Sequence, residues 1–465
     1  MKRLLMITAA ILTVGLLPLL IDFGHGTHSM DFINQQIPFI IETKRLLTSG
    51  SPWWSWNTFF GDNFIGAYSF YTLTSPFVWL TCLFPTDKIL WGILLSLYLK
   101  TLCTSAFSYL YFRKMEFSRN LSITGALLYT FSSFYICNLF YFHFCEPIML
   151  MPLLLIAIEN IMNNKRLCYL WLALISFLVI FINFYFSIST FLIGFIYFIF
   201  RARSKQALSW MLVFKVCGTV ITGCLLSSFI LLPTVMHNIG VPRAKIITEP
   251  IGILGFSSFN GMIAKYIDLF LCLLFPKVTE GLSACFFADL FGSNQGFISV
   301  FGWLPAAVYA LKKRNWLSWI LLVLFVCYFT PLGGIFSLFT SATYTRWLYG
   351  LILIGNLTTL FFIKESGRMR ASQLLTYTAL CAGMLFAYIS IRTYHAIGNG
   401  ESFTISHIEN LVIRIWLINL ACLILLMYKP SPKLTIGLVA LCSALNLAAF
   451  VHVYFNTNTD PEQVE

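Results

Sequence analysis

Apolar runs long enough to cross a bilayer recur along almost the whole chain. They fall at about 4–21, 88–112, 120–138, 147–162, 167–183, 185–200, 207–232, 297–311, 316–332, 346–363, 372–391, 409–428 and 434–455. About twenty apolar residues cross the hydrocarbon as a helix. In lipid each backbone polar group must also find its partner inside the protein. These runs therefore predict an all-α polytopic membrane protein with about thirteen transmembrane helices. Composition agrees: 58% of the 465 residues are hydrophobic and 10% are charged, against about 25% charged in soluble domains. A soluble enzyme, a nucleic-acid binder and a disordered scaffold are excluded as readings of the whole chain. The first run follows Lys2 and Arg3 but has no small-x-small cleavage site before Asp22, so it reads as an uncleaved span. Within 167–200, Asn183-Phe184-Tyr185 marks a tight turn between two spans. The thirteen cysteines lie mostly inside apolar runs without metal-ligand spacing and read as small buried residues.

Charge gives the orientation. With the N-terminus in the cytoplasm, 18 of the 30 basic residues fall on alternate, short loops, as the positive-inside bias requires. The formal charge of +12 is therefore mostly topology and points to no nucleic-acid partner. Two outer segments, 22–87 and 233–296, are too long to be mere connectors, and long loops tend to carry function. Residues 31–49 alternate polar and apolar faces at helical spacing, as an interfacial helix does. Residues 53–85 are aromatic and suit the headgroup region, with Trp53, Trp54, Trp56, Phe59, Phe60, Tyr68, Phe70 and Tyr71. The stretch 262–276 reads as a second interfacial or re-entrant helix. The whole of 1–455 forms one transmembrane domain, followed by a short polar tail at 456–465.

Few residues suit chemistry. Asp31 stands at the start of the interfacial helix, where a carboxylate could act as general base toward a hydroxyl or simply cap the helix beside Ser29. Gln35 lies one turn on. Glu42 lies roughly 16 Å from Asp31 at helical rise, too far for a glycosidase-type carboxylate pair. Arg243, Lys245 and Arg346 are basic residues on the outer side, against the charge bias. They suit a lipid-linked phosphate, or snorkel to lipid headgroups. His143 and Glu146 sit at i, i+3 where a span begins, too few ligands for a metal site, and no metal or other cofactor is expected. Among charges inside spans, Glu159 reads as a partner of Lys165 and Arg166, whereas Lys100 has no evident partner. Gln35, Asp62, His143 and Glu146 are candidates for substrate or acceptor binding.

Several short motifs in order carry a resemblance. The stretch from His28-Ser29-Met30-Asp31 to Pro38-Phe39, then Phe60-Gly61-Asp62-Asn63-Phe64 and Tyr71-Thr72-Leu73-Thr74-Ser75-Pro76-Phe77, is similar to the first outer loop of YfhO-type bacterial membrane proteins. These are a branch of the GT-C glycosyltransferase superfamily. Glu146-Pro147 leading to Glu159, Asn183-Phe184-Tyr185 and Tyr344-Thr345-Arg346 resemble later motifs, and the match is strongest over 1–205. The resemblance implies a GT-C-like fold in the bacterial cytoplasmic membrane with its active site facing outside. It implies an inverting transferase of hexosyl or N-acetylhexosaminyl type. The donor would be a sugar on polyprenyl phosphate, and the acceptor a hydroxyl of an envelope polymer such as a teichoic acid. Asp31 would be the base, and Arg346 with Arg243 or Lys245 would hold the departing lipid phosphate. Enzymes that make and flip the donor, and the membrane lipids, would be its partners. A flippase of lipid-linked glycans and a non-catalytic scaffold of envelope assembly stand as rival readings. A flippase predicts internal repeats, and none is evident.

Overall fold

A computed structural model describes residues 1–17, 19, 32–50, 53–58, 61–239, 273, 300–337, 346–365, 407–428 and 431–456, with parts of 370–390. Among these residues, five helices are long and apolar enough to cross a membrane: Thr86–Lys114, Phe142–Met162, Cys168–Ser204, Leu348–Glu365 and Pro432–His452. A sixth is counted if Trp210–Leu226 and Ser228–His237, bent by 75°, form one broken span. Two other expected spans are interrupted or short for local reasons. The run 120–138 forms Arg119–Thr130 and Ser133–Cys137, with extended backbone at Ser132 between them. The run 316–332 stops at Phe329, because Thr330 is extended before Pro331 and a residue preceding proline disfavours the helical region.

The Cys168–Ser204 helix has 37 residues and would be about 56 Å long if straight. It is not straight, because Asn183 leaves helical geometry at φ −153°, ψ 87°. Lys205 Nζ at the far end donates to Asn163 Oδ1 at 2.6 Å, beside the turn from which the helix starts. Asn183 Nδ2 meanwhile donates to the His143 carbonyl at 2.6 Å, at the opposite end of the Phe142–Met162 helix. The two halves therefore run antiparallel, as two spans with a tight turn. Asn183 Oδ1 accepts from the Phe186 amide at 3.2 Å, so the same side chain caps the second half.

The Phe142–Met162 helix is the axis of the bundle, and 18 of its 21 residues are buried. It begins five residues earlier than the expected span because it accommodates two prolines, Pro147 and Pro152. Each lacks the amide that would bond the carbonyl four residues back. The His143 carbonyl, released by Pro147, takes its bond from Asn183. The Ile148 carbonyl, released by Pro152, accepts from the Tyr129 hydroxyl at 2.9 Å.

At the helix's other end the basic groups gather. Glu159 accepts from Arg201 at 2.6 and 3.1 Å and from the Tyr197 hydroxyl at 2.7 Å. Arg201 also lies over the Trp316 ring at 4.8 Å. This corrects the expected pairing of Glu159 with Lys165 and Arg166: its partner comes from the returning half of the hairpin. Lys114 donates to Asn160 at 2.7 Å. Lys313 pairs with Glu365 at 2.8 Å.

The first loop is built, not coiled. A π-helical turn, Phe32–Gln36, leads into the Ile37–Ser49 helix, which buries Ile40, Thr43 and Leu46 and ends at Gly50 in the left-handed region. Glu42 is not a free carboxylate. It accepts from Arg45 at 2.6 and 2.9 Å, from Ser55 at 2.5 Å and from Asn57 at 3.0 Å. It thereby holds a two-stranded hairpin in which Trp54 pairs with Asn63 and Ser55 with Asp62. Trp53, Trp54 and Trp56 are exposed on that hairpin, as a headgroup position requires. The loop then turns inward. Thr72 bonds Thr43 at 2.6 Å, Thr74 donates to the Ile182 carbonyl at 3.2 Å, and Ser75 caps the Pro76–Cys82 helix. Residues 69–82 thus enter the bundle, and Phe70 and Tyr71 are half-buried there. The expected helix at 262–276, apart from Leu273, which is helical and buried, and the tail beyond Asn456 lie outside the described residues.

Two outcomes follow. In a cysteine-depleted chain, Lys165→Cys and Lys205→Cys will label from one face of the membrane and Phe184→Cys from the other. The Arg45 guanidinium, with Ser55 and Asn57, lowers the Glu42 carboxyl from 4.5 to about 2 against the opposing effect of burial. A depressed carboxyl stabilises fully above its unfolded value and loses that contribution as pH falls through its folded value. Hairpin tryptophan fluorescence will therefore hold down to about pH 4.5 and change as pH approaches 2. Glu42→Gln will remove that transition.

Candidate functional site

Three elements meet at the end of the Phe142–Met162 helix opposite Glu159: the inward segment 69–75, the helix start, and the turn at Asn183. Arg346 joins them just before the Leu348–Glu365 helix. Its Nη1 donates to the Tyr185 hydroxyl at 3.3 Å. Its guanidinium lies 5.2 Å from the Phe144 ring and 5.8 Å from the Tyr185 ring. Phe70 stacks on Tyr185 at 5.9 Å, and Tyr71 meets the His143 ring edge-on at 4.5 Å. Phe144 lies 4.7 Å from His143. The arrangement is a cation set among aromatic faces, where the local dielectric is low and its attraction for an anion strong.

Behind the rings lies a buried ion pair. Lys100 Nζ is 3.1 Å from Glu146 Oε1, and both side chains are fully enclosed. Lys100 also donates to the Phe142 carbonyl at 2.9 Å and lies over the Phe142 and Phe77 rings at 4.3 and 5.4 Å. Ser75 Oγ donates to the same Glu146 oxygen. This network answers the question posed by an isolated lysine in an apolar run. Lys100 is the counter-ion of Glu146, and the pair fastens the first loop to the helix start.

The expected site residues divide. Arg346, His143 and Glu146 come together here. Asp62 lies apart: it pairs with His237 at 3.6 Å and accepts from the Asn63 amide at 2.6 Å. There the first loop docks on the Ser228–Ile239 helix, aided by a Ser69–Thr234 hydrogen bond of 3.0 Å. Gln35 is exposed on the π-helical turn. Asp31, Arg243 and Lys245 lie outside the described residues. Among the described residues no group of three or more His, Cys, Asp or Glu could hold a metal ion.

Sequence reasoning missed Ser75, Asn183 and Tyr185 as parts of the site, although all three sit inside motifs it singled out. It also missed Gln36, which is 1% exposed and whose side-chain amide has no hydrogen-bond partner at either atom.

The family model described as "Bacterial membrane protein YfhO" matches residues 5–465. No curated protein matches the chain. Among solved structures, a cryo-EM structure of the arabinofuranosyltransferase AftD from Mycobacteria is similar, with a TM-score of 0.40 and 13% identity. The alignment covers 84% of this chain and 27% of that one.

Removing one member of a buried ion pair leaves the other charge uncompensated, at a cost of about 3–5 kcal/mol, whereas replacing both with apolar groups is close to neutral. Lys100→Met alone will lower the thermal stability of the detergent-solubilised protein markedly. Lys100→Met combined with Glu146→Leu will restore most of it.

Proposed function

Belonging to the YfhO family of bacterial membrane proteins, this chain is, we propose, a glycosyltransferase of GT-C type. It moves a sugar from a polyprenyl-phosphate donor to a hydroxyl of a cell-envelope polymer. The observation that carries this reading is Arg346. A guanidinium set between the Phe144 and Tyr185 rings, at the end of the bundle away from the basic cluster, suits the phosphate of a lipid whose tail stays in the bilayer. The positive-inside bias favours an outward direction for that end, which supports a reaction at the outer face of the cytoplasmic membrane.

The reaction is a single displacement. Asp31 accepts the proton of the acceptor hydroxyl as its oxygen bonds to the anomeric carbon. The bond from that carbon to the phosphate oxygen breaks, and its electron pair leaves on the phosphate. Polyprenyl phosphate departs, and the anomeric configuration inverts. Arg346, assisted by Arg243 and Lys245, binds the phosphate and stabilises the charge that grows on it. Gln35, exposed on the first loop, and Asp62, half-buried farther along it, contact the acceptor chain away from the reacting sugar, while His143 and Glu146 lie toward the donor. Enzymes that synthesise and flip the donor precede this step.

The test compares the surface glycans of a deletion strain rescued with wild type or variants at equal membrane levels. Deletion will remove a sugar substituent that wild type restores. Asp31→Asn will lower transfer by about 10²–10⁴-fold, the usual contribution of a general base. Arg346→Lys will retain more transfer than Arg346→Ala, since it keeps the charge and loses the fork geometry. Full restoration by Asp31→Asn would make Asp31 a helix cap and favour a transporter or scaffold.

A further inference from the structure

Glu146 has one oxygen fully engaged and one unused. Oε1 takes the Lys100 ammonium and the Ser75 hydroxyl. Oε2 is buried and has no hydrogen-bond partner. An ionised carboxylate only accepts, so the missing partner must be a donor. Three residues earlier, on the same helix face, His143 is 6% exposed and its Nδ1 is likewise unpartnered. Each such atom carries a desolvation cost that a hydrogen bond would remove, and lipid acyl chains offer no donor.

From this pair we infer that His143 and Glu146 form a hydroxyl-binding subsite that reads the sugar of the lipid-linked donor. The inference rests on the transferase reading above and gives its donor site a second half. Chemistry separates the two halves. An ionised phosphate has no proton to give Glu146 Oε2 and is attracted by Arg346, while a neutral ring rich in hydroxyls donates to Glu146 Oε2 and exchanges a hydrogen bond with His143 Nδ1. Phe70, Tyr71 and Phe144 around His143 supply apolar faces for the ring's C–H surface. Binding sites of this kind are mostly apolar, with a few polar groups that fix orientation. Lys100 and Ser75 are positioning residues: by holding Oε1 they leave Oε2 as the acceptor.

The subsite is tested by lipid binding to the full chain in nanodiscs, read by native mass spectrometry. The probes are a short polyprenyl phosphate, the same lipid carrying glucose, galactose or N-acetylglucosamine, and the unphosphorylated prenol. Wild type will bind one of the glycosylated lipids about tenfold or more tightly than the bare phosphate, as hydrogen bonds to a charged group allow. His143→Phe, which keeps the ring packing, will reduce that preference, and Lys100→Met with Glu146→Leu will abolish it. In both variants affinity for the bare polyprenyl phosphate will fall far less than the sugar preference does, because both keep Arg346 and the Phe144 and Tyr185 rings that frame it. Arg346→Ala will weaken both ligands equally. An undiminished sugar preference in both variants would overturn the subsite and make the two orphan atoms sites for bound water. Binding of bare polyprenyl phosphate without any sugar preference in wild type would overturn the subsite alone. No binding of any lipid phosphate would overturn the transferase reading and the subsite with it.

Discussion

Two missing amides organise this bundle. Pro147 and Pro152 sit inside the most buried helix, and each leaves a carbonyl without its helical donor. In water such a group would be solvated, but in hydrocarbon only another part of the protein can supply the bond. Asn183 reaches one carbonyl and Tyr129 the other. The first of these bonds fixes where the long hairpin turns and lays its two halves against the axis helix. The second fastens the Arg119–Thr130 helix to the same axis. The prolines therefore set contacts as well as removing bonds, and the turn at Asn183 is what brings Tyr185 under Arg346.

The second organising element is charge. The axis helix carries one carboxylate near each end, and each meets a cation from another segment: Glu146 meets Lys100, and Glu159 meets Arg201. Both carboxylates are enclosed, so each accepts further hydrogen bonds, from Ser75 and Tyr197 respectively. The two ends differ in use. At the basic end the carboxylate is saturated at both oxygens. At the other end one oxygen is unused, beside an arginine and a wall of aromatic rings. That asymmetry distinguishes the two ends physically: one carboxylate is fully engaged and the other keeps a free acceptor.

Much of this was legible in the chain itself. Apolar length gave the membrane class, and Asn183-Phe184-Tyr185 gave the hairpin, because an amide-bearing side chain in a hydrophobic run needs a reason to be there. Periodicity over 31–49 gave the amphipathic helix, with Gly50 ending it as a left-handed cap. What the chain could not give was partnership. Lys100 had no evident partner in the sequence, since Glu146 is 46 positions away and periodicity within one helix carries no information about its neighbour. Glu159 misled for the same reason: Lys165 and Arg166 are near in sequence, while Arg201 is near in space. The inward path of 69–82 was hidden by its composition, since aromatic residues fit a headgroup zone and a packed interior equally well.

The docking of the first loop on the Ser228–Ile239 helix bears on how this fold can vary. Gly66 packs so closely under the His237 ring that an added Cβ would lie 2.5 Å from it, and Ser69 and Asp62 bond the same helix. The first-loop surface around Asp62 is thus carried on a unit whose other piece lies more than 160 positions later. A chimera that exchanges only the first loop with a relative would import a surface cut for a different helix. The exchangeable module is discontinuous: the two segments move together, or the packing between them is lost.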